Sequence, residues 1–244
     1  AADGDTIYLT LGTYKPFTIN KKITVRGTGE TSIIDGNVSI NIPDQQTLTS
    51  PVLEALAVSG TVNVSSAVND MILRKCKIAN MTFGANVDGA VIDRCYITNT
   101  LTLSSYINGM TVVNTKLNRV EANSGASNNT TFVNCNFYYL NCSYFAGTII
   151  NSILYFPNNN RTINSTVLLN TYINNELSIG SSSVMQNCYR GNDVWITDYC
   201  ECGRDTNYLQ TNNYLGTDGT VVGIYCGDTP FTLEPSVPKV TSSD

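Results

Sequence analysis

Residues 91–99 read VIDRCYITN, with Cys95 between Arg94 and Tyr96, apolar Ile92 three positions before it and Ile97 two positions after. The same frame recurs along the chain. It is LRKCKI ending at Ile78, VVNTKL at Leu117, FVNCNF at Phe137, IINSIL at Leu154, LLNTYI at Ile173 and, frayed, MQNCYR at Arg190. The central small residues are Cys76, Cys95, Thr115, Cys135, Ser152, Thr171 and Cys188, separated by 19, 20, 20, 17, 19 and 17 residues. Three positions before the centre the side chain is apolar in every copy. Two positions after, it is apolar in six of seven, and five copies carry Asn just before the centre. Self-similarity at a short, nearly fixed period marks a stacked-repeat chain, in which each unit buries its apolar face only against its neighbours.

A unit of this length is too short for paired helices. Its apolar positions also fail to make a helical stripe. They fall at −3, 0 and +2 from the centre, and then in pairs two apart: Met81 and Phe83, Leu101 and Leu103, Val120 and Ala122, Leu140 and Cys142, Leu177 and Ile179. A spacing of two is the strand signal. The odd step from −3 to 0 marks a bend, to which the preceding Asn is suited. Each copy therefore reads as strand, bend, strand, short turn, strand and return loop, with GANVDG, SSYING, NSGASNN and NNNRTIN among the return loops. Strands of successive coils would pair about 4.8 Å apart. The predicted fold is all-β, a single-stranded parallel β-helix (solenoid) with coils of about 17–20 residues. Cys95 then points into a core so narrow at the bend that only a small side chain fits, with Arg94 and Tyr96 outside.

Composition agrees with this reading. Hydrophobic residues make up 42% and charged residues 14% of the 244 positions, too apolar and too weakly charged for a disordered polyelectrolyte. No run of eighteen apolar residues offers a membrane span. A net charge of −5 argues against general nucleic-acid binding. With no histidine in the chain, a Ser-His or Cys-His nucleophile pair is excluded. Cys76, Cys95, Cys135 and Cys188 share the central position and Cys142 another apolar one, so these five are expected as free, buried thiols. Cys200, Cys202 and Cys226 lie outside the repeats. CEC has the wrong spacing for a CxxC motif, and a Cys200–Cys226 or Cys202–Cys226 bridge stays open.

The first third is less regular. GDTIYLTLGTY (4–14), FTINKKITVRGTG (17–29) and SIIDG (32–36) are short strands punctuated by Gly12, Gly27, Gly29 and Gly36. These segments resemble the first coils of the pectate-lyase-like right-handed parallel β-helix superfamily, and the resemblance extends over residues 4–190. It implies a right-handed coil. It does not choose a function, because that superfamily holds lyases, hydrolases, esterases, tailspikes and adhesins. Residues 41–70 depart from the pattern. They contain Pro43 and Pro51, an expected short helical turn at Leu53–Leu56, and VLEALAVSGTVNV as a strand pair. Past Arg190 the period is lost. YLGTDGTVVGIYCGDTPF is similar to the closing segment of secreted or surface β-helix proteins of gut-type Gram-negative bacteria. The expected organisation is a β-helix over 1–190, a capping segment over 191–232, and a linker over 233–244 to a further domain of the same chain. That places the protein outside the cell or on a bacterial surface.

Three functional classes fit. Pectin-degrading hydrolases of this superfamily carry adjacent Asp pairs and a Gly-His-Gly segment, and neither is present. Methylesterase-type members need two Asp and an Arg on neighbouring coils. Asp88, Asp93 and Arg94 mimic that set, although Asp88 is expected in a return loop. A lyase would work with Ca²⁺, Lys or Arg. The acidic group Asp193, Asp198, Glu201 and Asp205 is the set a Ca²⁺ ion would use, against the alternative of a solvated capping loop; no cofactor is otherwise called for. The third feature is a basic and aromatic row. Lys75, Lys77, Arg94, Lys116 and Arg119 fall at similar repeat positions on three coils, and Tyr96, Tyr172 and Tyr189 share the position of Lys77 and Lys116. Such a row suits ring stacking and ion pairing with an acidic carbohydrate. It equally suits an ordinary solvent face that protects the sheet from aggregation. The leading expectation is a non-catalytic scaffold or adhesion module, binding carbohydrate through this row. A polysaccharide-active lyase and a structural spacer are the alternatives. The matches to N-glycosylation acceptors (NVS, NMT, NTT, NCS, NST) are better explained by turn chemistry, with Asn side chains forming ladders between coils.

Overall fold

In the computed structural model each repeat is one coil, and the repeat centre sits just past its corner. The structure describes residues 1–43, 51–104, 106–122, 127–141, 145–155, 161–163, 166–169, 171–174, 177–179, 183–186, 189–190 and 195–196. Among them every strand pairing is parallel and no helix occurs; the chain is a β-solenoid of about 7 turns. The strand Val91–Asp93 ends at Arg94, which turns the chain with φ 52°. Cys95 then points inward, and the strand Tyr96–Leu103 leaves in a new direction. The corner is left-handed in six coils: Ala55 (φ 54°), Lys75 (54°), Arg94 (52°), Asn114 (50°), Asn134 (56°) and Asn151 (50°). Among residues with a Cβ, Asn is one of the few that visits this region readily, which accounts for Asn before the centre.

The coils stack in register. Leu53, Leu73, Ile92, Val112, Phe132, Ile149 and Leu168 form one inward column. Val58, Ile78, Ile97, Leu117, Phe137 and Leu154 form a second on the other large sheet. Between them the central residues Cys76, Cys95, Thr115, Cys135, Ser152 and Thr171 are fully buried. The described thiols Cys76, Cys95 and Cys135 are free, as expected. Burial pushes Cys135 up to about 12, and burial beside Cys76 pushes Cys95 well above the ordinary thiol range. Cys142, Cys188, Cys200, Cys202 and Cys226 lie outside the described residues.

Several expectations are corrected. The helical turn expected at Leu53–Leu56 is absent, whereas the strand pair expected over VLEALAVSGTVNV is present. Val52–Glu54 and Ala57–Val64 are strands in register with every later coil, and Ala55 is their corner. The centre of that coil is Leu56, fully buried, so the position does not demand a small side chain. One coil earlier the chain detours through residues 27–31, of which 28, 30 and 31 are exposed, and re-enters the core with Ser32 and Ile34. The short turn expected after +2 is instead a β-bulge inside a continuous strand. Register shifts between Ile78 and Asn80 and between Ile97 and Thr100, and this slack absorbs coils of unequal length. The return loops are not wholly loop either: Val68–Asn69, Val87–Asp88 and Ile107–Asn108 are short parallel strands, which puts Asp88 on a strand. The strand Thr6–Tyr8 already pairs in register with Thr24–Arg26.

Polar columns reinforce this register. Arg26, Glu54, Arg74 and Asp93 follow one another on successive rungs with alternating sign; Arg26 meets Glu54 at 2.7 Å and Arg74 meets Asp93 at 3.5 Å. Opposite charges directly across a rung favour this pairing over a slipped one. At the corner, Asn151 donates to Asn134 (2.8 Å) and Asn134 to Asn114 (3.1 Å). A second ladder runs from Asn129 to Asn108 (3.2 Å) and from Asn108 to Asp88 (3.0 Å). The expected Asn ladders are therefore present.

Candidate functional site

The residues nominated from sequence lie in three columns, not one. Lys75 and Arg94 occupy the corner, below Asn114. Lys77, Tyr96, Lys116 and Asn136 are successive rungs of the outward column at +1. Arg119 lies beyond the bulge, in a column with Asn80, Thr100 and Tyr139. The supposed single basic strip is thus split, because the corner turns one set away and the bulge displaces another.

Most of its charge is also neutralised. Lys77 pairs with Glu30 at 2.9 Å. Arg94 holds Asp93 at 2.7 Å, and that hydrogen bond raises the guanidinium further above its ordinary value. Arg119 pairs with Glu121 and lies 4.9 Å from the centre of the Tyr139 ring. Lys75 and Lys116 have no carboxylate partner among the described residues. Lys116 instead sits 5.0 Å from the centre of the Tyr96 ring, within cation–π range.

Lys116 and Tyr96 border an open groove of about 430 Å³ on the outer face of the second sheet. Tyr96, Lys116, Asn136 and Ile153 line it along the +1 column, and Asn118 and Tyr138 enter from two positions further along their strands. Tyr138 is 50% exposed. The groove thus offers aromatic faces, one ammonium group and amide side chains on a rigid sheet. These are the groups that stack on the apolar face of a sugar ring and hydrogen-bond its hydroxyls. Asn136 could have been found by continuing the +1 column one rung. Tyr138 and Asn118 share the position three residues after the centre on adjacent coils, so following that column as well would have found them. Tyr172 and Tyr189 continue the column by register.

The esterase-like set does not assemble into a free acidic pair. Asp93 is taken by Arg94 and approached by Arg74, and Asp88 accepts a hydrogen bond from Asn108. Among the described residues no three His, Cys, Asp or Glu side chains come close enough to share a metal ion. Asp193, Asp198, Glu201 and Asp205 lie outside the described residues. No described helix is long and apolar enough to cross a membrane. Compared with protein-family models, curated proteins and solved structures, the chain gives no match.

Proposed function

We propose that the protein is a non-catalytic binding module of a secreted or bacterial cell-surface β-helix protein, and that it takes a carbohydrate on the outer face of its second sheet. The observation that carries this reading is the groove between Tyr96, Lys116 and Tyr138, where a cation with no carboxylate partner among the described residues, the half-buried Tyr96 ring and the half-exposed Tyr138 meet on a preformed surface. Preformed sites bind with little ordering cost. Kinship with the pectate-lyase-like superfamily belongs to the same proposal. It is supported by the parallel solenoid and by the opening strands GDTIYLTLGTY and FTINKKITVRGTG.

The test is retention and turnover measured together on a panel of neutral and uronic-acid glycans. The full chain should retain a glycan and release no product. Lys116→Ala and Tyr138→Ala should each weaken retention about tenfold or more, as expected for a lost ring contact or charge pair at the centre of a site. Lys75→Ala and Arg94→Ala, on the corner, should leave it unchanged. Product release would make the chain a polysaccharide-active enzyme, and a full panel with no glycan retained would leave it a spacer.

A further inference from the structure

Cys76 and Cys95 occupy the same position on adjacent coils. Their neighbours pair in register on both sides, Arg74 with Asp93 and Lys77 with Tyr96. The Tyr96 amide donates to the Cys76 carbonyl at 2.9 Å. Both side chains point inward and are fully buried; the Cys76 thiol donates to the Leu53 and Arg74 carbonyls and the Cys95 thiol to the Asp93 carbonyl. Adjacent parallel rungs are about 4.8 Å apart, inside the Cα separation of roughly 4.4–6.8 Å that a disulfide spans. The rest of the column offers no second pair among the described residues. Leu56 lies on one side of Cys76, Thr115 separates Cys95 from Cys135, and Ser152 follows Cys135.

From this geometry we infer that Cys76 and Cys95 form an inter-coil disulfide when the chain folds in the presence of a disulfide oxidant, and that Cys135 does not take part. The oxidant is a low-molecular-weight disulfide or the disulfide of a thiol oxidoreductase. One thiolate attacks the oxidant, releasing a thiol and leaving a mixed disulfide. The second thiolate attacks the cysteine sulfur of that intermediate, forming Cys76–Cys95 and releasing the second thiol. Two electrons and two protons pass to the oxidant. Because both thiols are buried, the exchange takes place before the core closes or while the coils are parted. Stacked Cβ atoms keep roughly the rung spacing, about 4.8 Å, whereas a disulfide prefers about 3.8 Å. The bond must draw the two coils together, and that strain makes it easier to reduce than an ordinary structural disulfide.

The experiment is refolding of the full chain from urea in glutathione redox buffers, alkylation of remaining thiols, and peptide mapping by mass spectrometry without reduction. The expected result is a Cys76–Cys95 cross-linked peptide lighter by two hydrogens, with Cys135 alkylated in the same sample. The oxidised chain should unfold at higher urea than the reduced one, and Cys95→Ser should abolish that difference. Pairing of Cys95 with any other cysteine would overturn the inference. So would alkylation of Cys76 and Cys95 as complete as that of Cys135.

Discussion

One substitution, made at two buried sites, should change stability in opposite directions. Thr130 and Thr115 are both fully buried threonines of the solenoid wall. The Thr130 hydroxyl has no hydrogen-bond partner among the described residues. It sits in the core beside Gly147, one rung beyond Met110. The Thr115 hydroxyl donates to the Val113 carbonyl at 2.8 Å and accepts from the Cys95 amide at 3.2 Å. Valine keeps the shape and the β-branch of threonine and removes only the hydroxyl. At Thr130 it removes an unsatisfied polar group, which costs about 1–3 kcal/mol when buried, so Thr130→Val should stabilise by about 1 kcal/mol. At Thr115 it breaks two bonds and leaves the Cys95 amide without an acceptor, so Thr115→Val should destabilise by about 1–3 kcal/mol. With a urea m-value of about 2–3 kcal/mol/M, the two midpoints should part by roughly a molar, read by far-ultraviolet circular dichroism at unchanged m. Destabilisation by Thr130→Val, or equal shifts of one sign, would show that hydroxyl pairing does not govern this wall.

Three further outcomes follow from the same columns. Lys75→Asn places a residue suited to the left-handed corner (φ 54°) and should raise stability by about 0.5–1 kcal/mol in urea unfolding. Asn134→Ala removes both ladder bonds of that corner and puts alanine at positive φ, at a loss of about 1–2 kcal/mol, read as a lower thermal midpoint. Cys135, pushed from 9.0 to about 12, keeps its proton in the folded chain while the unfolded chain loses it. Its contribution is complete below pH 9 and is lost as pH rises towards about 12, with a slope of about 1.4 kcal/mol per pH unit. Cys135→Ala should flatten that part of the stability profile.

The inward columns were legible because burial repeats the same demand at every rung. Leu73, Ile92, Val112 and Phe132 differ in shape, yet each must be apolar, and the period of the demand is the coil. Leu56 escaped because it is large where the later centres are small, on the coil that follows the detour of residues 27–31. The bulge escaped for a related reason. It adds a residue in the strand Tyr96–Leu103, on the outer face, where sequence is little constrained. The pairing of Lys77 with Glu30 could not be read either, since Glu30 belongs to that same detour. The basic residues were located correctly in sequence and wrongly grouped in space, because the corner and the bulge both fall within a few residues of the repeat centre.

A parallel stack sets each outward side chain against the same position one rung away, and this gives a way to separate surface from site. Identical charges would repel along such a column. The outer face answers with compensation: Arg26 with Glu54, Arg74 and Arg94 with Asp93, Lys77 with Glu30, Arg119 with Glu121. Exposed pairs of this kind contribute about 0–1 kcal/mol each, so their value lies in register and in keeping the face inert. Lys75 and Lys116 depart from the rule among the described residues, and of the two Lys116 borders the groove. Its rung neighbours are Tyr96 and Asn136, and its ammonium meets a ring where the other columns supply a carboxylate. The same rung borders the groove and Tyr138. A surface that otherwise pairs its charges leaves this ammonium without a carboxylate among the described residues, and the proposed carbohydrate site rests on that feature.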